Sequence, residues 1–301
     1  MLSRIALAFV PGLAVASVAQ AQSGAWNPSY GAPVAIQTVN TSFGNASGGN
    51  AQTANGSELD AAYSYLSGNT LNLLITGNLE SNFNKLVLFI DNGSGSGQNV
   101  ISGGADLPSQ YNGFTFDTGF AATHYMIANG GGTPFGYYVN AGNLVLGQGG
   151  YVGSNTGQGA LSGGAYASGL IQAAINNSNG AGVSGDVSGS LADPLTAQFG
   201  MEFAIDLSWL NLAAGTTSIR ITAFINGGGH DYASNQFLGG LPAFTGSLGG
   251  DGAGGYTGNL SGINLNNFAG NQFFTVSVPA PGAIALLAVA GLTGISRRRR
   301  H

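Results

Sequence analysis

Glycine supplies 53 of the 301 residues, and it falls with asparagine and serine in clusters that cut the chain into short apolar runs. No long segment of helical period appears, and runs bounded by such turn-formers read as strands. Residues 35–43 read as a first strand. Residues 60–66 and 71–77 form a hairpin pattern across Ser67-Gly68-Asn69, and 85–91 is a continuous, fully buried run. Segments 125–128 and 137–140 flank the loop Asn129-Gly130-Gly131-Gly132. Later, Phe199, Met201, Phe203 and Ile205 alternate with Gly200, Glu202 and Ala204, and Ile219, Ile221, Ala223 and Ile225 with Arg220, Thr222 and Phe224, each with the period of a strand buried on one face. Residues 206–210 read as one helical turn capped by Asp206, and 273–278 as a closing strand. Residues 147–164 and 178–190 have little to bury and read as long surface loops, or as a hinge between two halves. No repeat of fixed period occurs. The expectation is a mainly β chain, an antiparallel β-sandwich over residues 22–278.

Both ends carry different information. Residues 1–21 read as a secretory signal helix: Arg4, then an apolar stretch, then Ala19-Gln20-Ala21 as the cleavage site, so that the mature chain starts at Gln22. An uncleaved anchor is the alternative. At the other end Val278-Pro279-Ala280-Pro281-Gly282 leads into an apolar run and then Arg297, Arg298, Arg299 and Arg300. The run from 281 to 295 spans roughly 22 Å as a helix, against a hydrocarbon core of about 30 Å. Three glycines weaken it further. That describes a short transmembrane helix suited to a temporary stop, with the arginines held on the cytoplasmic side. A permanent C-terminal anchor is the alternative.

The tail, residues 279–301 with Val278 before it, resembles the PEP-CTERM protein-sorting signal of Gram-negative bacteria. That signal consists of a Pro-Glu-Pro motif, a short membrane helix and a basic cluster. Ala280 stands here in place of the central Glu. The resemblance implies signal peptidase and an exosortase, a membrane transpeptidase, as processing partners. Within the middle, Gly56-Ser57-Glu58-Leu59-Asp60-Ala61-Ala62-Tyr63, residues 71–80, Phe89-Ile90-Asp91, residues 116–120 and residues 234–238 are similar to a group of PEP-CTERM ectodomains. Those ectodomains resemble the DOMON and family-9 carbohydrate-binding-module type of β-sandwich. The resemblance implies a fold and carries no activity.

Charge and cysteine usage exclude several classes. Outside the two ends only Lys85 and Arg220 are basic, against twelve acids, a net −10. Such a chain does not neutralise phosphates, so nucleic acid is excluded as a partner. With no cysteine, neither disulfides nor thiol chemistry is available. Only 6% of residues are charged, so amides and hydroxyls carry the polar surface, as in extracellular β proteins.

Candidate chemical sites are few. Asp91 opens a stretch, residues 91–99, with oxygen-bearing side chains at alternate positions, but Ser96 and Ser102 stand where an EF-hand needs Gly and Glu. A looser calcium site at Asp91 remains as a candidate beside a plain loop. Glu58, Asp60, Glu80, Asp91, Asp106 and Asp117 crowd the first half, with no pair fixed at a glycosidase separation. His124 and His230 lack the sequence neighbours of a zinc site or a nucleophile elbow. The Asn-Gly-Gly-Gly stretches at Asn129 and Asn226 read as hairpin loops. Tyr137, Tyr138, Tyr151, Tyr232 and Tyr256 are candidates for a sugar-stacking patch, or for ordinary strand positions. The expected function is that of a non-enzymatic exported protein of the cell surface or extracellular polysaccharide matrix. A carbohydrate-binding module, with or without calcium, is the alternative, and a secreted hydrolase comes last.

Overall fold

A computed structural model describes residues 22–44, 56–249 and 257–278. The signal helix and transmembrane helix expected at 1–21 and 279–301 lie outside these residues. Among the described residues no helix is long and apolar enough to cross a membrane.

Fourteen strands are described: β1 Ala35–Ile36, β2 Glu58–Ser67, β3 Thr70–Asn78, β4 Asn82–Asp91, β5 His124–Gly131, β6 Gly136–Asn143, β7 Gln148–Thr156, β8 Gly159–Ala160, β9 Ser162–Gly163, β10 Ile171–Ile175, β11 Gly200–Asp206, β12 Ser218–Asn226, β13 Ala233–Leu238 and β14 Phe274–Ser277. They form two antiparallel sheets. The six-stranded sheet runs β1-β2-β3-β11-β10-β8. The eight-stranded sheet runs β13-β12-β4-β5-β6-β7-β9, with β14 also on β12. Both sheets mix strands from the two halves of the chain, so the halves are not separate units. Hairpin register matches the expected turn: Ser67 pairs with Thr70 across Gly68-Asn69.

The two sheets share one apolar core. Leu59, Leu71, Leu73, Ile75, Met201, Phe203 and Ile205 from the smaller sheet meet Leu86, Leu88, Ile90, Met126, Val139, Ile219 and Ile221 from the larger. Gln236 staples one edge: its Oε1 accepts from Leu59 N at 3.1 Å and from Gln37 Nε2 at 3.3 Å.

The larger sheet has a second buried face. Val87, Phe89, Tyr125, Ile127, Phe224 and Phe237 point away from the sandwich and are covered by loop residues Tyr111, Phe114, Phe116, Phe120, Leu260 and Leu265. Phe224 stacks on Phe114 at 5.4 Å and on Phe237 at 4.8 Å, and Phe89 meets Phe116 edge-on at 5.0 Å. This double burial explains why residues 86–90 are apolar without alternation. It also places Phe224, which the one-faced reading of 219–225 put outside, in a core of its own.

Three expectations need correction. Residues 147–164 are not a loop but carry β7, β8 and β9. Their glycines make room: a Cβ on Gly149 would strike the Ala105 carbonyl and the Tyr125 hydroxyl. Residues 35–43 pair as a strand only at Ala35–Ile36. Beyond it Asn40 turns its side chain to other loops, donating to Asp186 O and Ser190 O at 2.7 and 3.0 Å. Residues 178–190 form a loop, but one that covers the smaller sheet, with Asn179 and Val183 buried. The capped turn is present, with Ser208 N bonded to Asp206 Oδ1 at 2.8 Å.

Truncating the aromatic layer tests the second core. Phe224→Ala is expected to cost about 3–5 kcal/mol, read as a lower urea midpoint at unchanged slope. A loss under about 1 kcal/mol would show that the loops do not bury this face.

Candidate functional site

The sequence-level candidates scatter. Asp91 accepts from Gly93 N at 2.8 Å and Ala121 N at 3.2 Å and pairs with Arg220 at 3.4 Å. Arg220 also donates to Gly119 O and lies 5.7 Å over the Phe273 ring. The calcium candidate is thus surrounded by donors, which cap an Asx turn and hold two strands together. Asp106 accepts from Asn140 and Asp117 from Gln272 N. Val278 sits in the sandwich core, its N–H on Thr217 O at 2.9 Å, and Gln22 is buried beside Asn72. Ala19, Ala21, Pro279, Ala280, Pro281, Gly282 and Arg297 to Arg300 lie outside the described residues.

The tyrosines do not form one patch. Tyr137 is in the core, Tyr138 and Tyr151 are on the exposed face of β6 and β7, Tyr232 is elsewhere, and Tyr256 is outside the described residues. His124 is fully enclosed, with Nε2 accepting from Asn143 Nδ2 at 2.8 Å and its ring 4.7 Å from Trp209. Burial lowers it to about 4, so it stays neutral at ordinary pH. Among the described residues no three His, Asp or Glu side chains converge as a metal site would need.

Two buried acidic sites come from the smaller sheet. Glu202 accepts from Ser23 N at 2.7 Å, Gly24 N at 2.9 Å and Tyr30 Oη at 2.6 Å, docking the segment after Gln22 onto the sheet. Glu58 and Asp60 flank a bulge in which Asp60 is the extra residue of β2. Gly77 faces this bulge at φ 145, where a side chain would strike Glu58 O. Glu58 Oε1 accepts from Asn78 at 3.0 Å and Asp60 Oδ1 from Val183 N at 2.7 Å; Glu58 Oε2 and Asp60 Oδ2 have no partner among the described residues. Burial lifts both carboxyls well above the ordinary carboxylate range, and Asp60 raises Glu58 further.

One cleft brings functional groups together. Its volume is about 470 Å³, within the range of small-ligand pockets. Three segments meet there: Ser42-Phe43-Gly44, the β3–β4 corner with Glu80, Asn82 and Asn84, and the β12–β13 loop with Gly227 to Gly229, Asp231 and Tyr232. Glu80, Asn82 and Asn84 share this side because Ser81 turns and the β4 register shifts between Asn82 and Lys85. Phe83 between them takes φ 66 and points its ring away, against Gly131.

The opposite wall is locked from below. Lys85 Nζ donates to Phe83 O at 2.9 Å, Gly227 O at 3.3 Å and Gly228 O at 2.5 Å. Asn226 receives Tyr111 Oη at 3.0 Å and donates to Tyr232 O at 2.7 Å, while His230 Nδ1 lies 3.1 Å from the same hydroxyl. Burial lowers Lys85 to about 8 and, with the Lys85 charge, His230 to about 4. Above the floor the Phe43 and Tyr232 rings lie parallel at 6.0 Å.

No family model, curated protein or solved structure matches this chain. The cleft therefore has to be read from its own chemistry. Asn226 and Tyr232 were visible as loop and aromatic candidates in the sequence. Lys85, Asn84 and the meeting of Glu80 with Asp231 were not.

The Glu58–Asp60 pair predicts a pH effect. The folded state keeps protons that the unfolded chain releases near pH 4, so the pair's stabilisation is full below about pH 4 and is lost as pH rises through the raised values. Asp60→Asn is expected to gain stability relative to the wild type between about pH 5 and pH 8, followed as urea midpoints. A difference that is flat with pH would contradict the assignment.

Proposed function

We propose that this chain is an exported, non-enzymatic protein of a Gram-negative cell surface or extracellular polysaccharide matrix. In this reading the signal helix of residues 1–21 takes it across the inner membrane. The membrane helix and arginines of residues 279–301 halt it there, and an exosortase-type enzyme then removes the tail. The observation that carries the reading is the order of Pro279-Ala280-Pro281, a marginal membrane run and four terminal arginines before His301. Several features support it. Loops are tied by amides and hydroxyls without disulfides, as an exported chain lacking cysteine needs. Val278 is a core residue, so a cut beyond it leaves the sandwich intact.

A second reading, carbohydrate binding, is favoured by the cleft of Glu80, Asn84, Asp231 and Tyr232, where hydrogen-bonding groups converge beside an aromatic pair. A saccharide is held by that combination of polar contacts and a ring face.

Sorting is tested with an epitope inserted after Gly215, an exposed glycine with open space around it. In cells with an exosortase the chain is expected first in the envelope at full length and then as a shorter surface or released form. Replacing Arg297 to Arg300 by Ala is expected to abolish that processing. Full-length protein retained in the cytosol would refute the reading.

A further inference from the structure

The cleft is unbalanced in its hydrogen bonding. Asn84 is only 6% exposed yet lines it; Nδ2 gives one N–H to Ser57 Oγ at 3.1 Å, while Oδ1 accepts nothing from the described residues. Among the described residues Glu80 takes one bond, from Asn82 Nδ2 to Oε2 at 2.7 Å, and Oε1 none. Neither carboxylate oxygen of Asp231 accepts a hydrogen bond among the described residues. The strong donor nearby, Lys85, has three N–H groups and gives all three to backbone carbonyls. Ser42 Oγ is occupied by Ser247 and Asn235 N. Carboxylate and amide oxygens are therefore left over around the cleft, beside one remaining N–H on each of Asn82 and Asn84.

Charge points the same way. Glu80 and Asp231 bring two negative charges and Lys85 one positive, so a single added cation neutralises the group. The cation that fits brings N–H donors for Glu80, Asn84 and Asp231 and a body for the Phe43–Tyr232 pair. Aromatic faces attract ammonium groups and apolar ring faces alike. A bare metal ion would use the oxygens and leave most of the 470 Å³ empty. A lysine side chain would bring the ammonium on an unbranched stem, with no hydroxyls for Asn82 at the rim.

We propose that this cleft binds an amino-sugar unit of an extracellular polysaccharide, its ammonium taken by Glu80, Asp231 and the Asn84 carbonyl and its ring laid against Tyr232. The proposal rests on the carbohydrate-binding reading and sharpens it to deacetylated hexosamine. It is independent of how the chain is sorted, since every residue belongs to the folded domain. Neutral N-acetyl sugars lack the charge, and uronic acids are repelled by both carboxylates.

The test is calorimetric titration of the full chain in mild detergent with tetra-glucosamine, tetra-N-acetylglucosamine, cellotetraose, an oligolysine peptide and calcium chloride. Tetra-glucosamine is expected to bind at least about tenfold more tightly than either neutral tetramer. Glu80→Gln and Asp231→Asn are each expected to weaken it about tenfold, with thermal unfolding unchanged. Equal or tighter binding of the neutral tetramers would overturn the amino-sugar assignment and leave the carbohydrate reading standing. Absence of binding by any saccharide would remove both. Tighter binding of oligolysine, or of calcium in competition with the sugar, would overturn the proposal in favour of that ligand.

Discussion

Buried side-chain amides hold this fold together. Covering both outer faces of a sandwich with irregular loops would bury many backbone groups, and each must find a partner. Asn179 meets four such demands at once: its Nδ2 donates to Gly77 O and Phe199 O, and its Oδ1 accepts from Gln198 N and Phe199 N. Asn177 bonds both the N–H and the C=O of Leu79, as a neighbouring strand would. Asn99 holds three carbonyls of the loop at Phe116, Asp117 and Phe120. Asn235 ties Ser42, Asn40 and Thr245 together. A chain without cysteine and with few charges has these bonds in place of bridges.

The same device makes the cleft. Loop segments around residues 42, 80 and 228 are far apart in sequence, and amides and one lysine bring them to a common wall. Asn226 and Lys85 hold the carbonyls of Gly227, Gly228 and Tyr232 from beneath, and Asp231 lines the cleft above them. Rigidity at the floor leaves Asp231 without a hydrogen-bond partner among the described residues, and Glu80 with one, from Asn82. Behind them the aromatic layer on Phe89 and Phe224 keeps β4 and β12, which carry both floor residues, from shifting.

The strands were legible where a partner face was implicit in the pattern. Continuous apolar residues from Leu86 to Ile90 announced burial on both sides, and alternation through Met201, Phe203 and Ile205 announced one. Residues 147–164 misled because glycine content there records a neighbour's bulk, the Tyr125 side chain and the Ala105 backbone, which no local pattern reveals. Residues 37–43 misled in the opposite sense: Val39 sits in apolar company, but Gln37 bonds Gln236 of β13, Asn40 the loop at Asp186 and Ser190, and Thr41 the Ser57 carbonyl. At the cleft, Glu80 stood among the acids of the first half, whereas Asp231 lies so far along the chain that only the pairing of β12 with β4 brings it near.

Reliance on asparagine has a chemical consequence. An Asn followed by Gly is the pairing most open to cyclisation and deamidation, since the unhindered glycine nitrogen attacks the side-chain carbonyl. Asn92-Gly93 and Asn226-Gly227 both sit at structural joints, where loss of the amide would trade a donor for a negative charge. Their side-chain amides donate to Leu210 O and Tyr232 O. Deamidation would strip those carbonyls of their donor, so chemical ageing at either pair loosens the joint it holds.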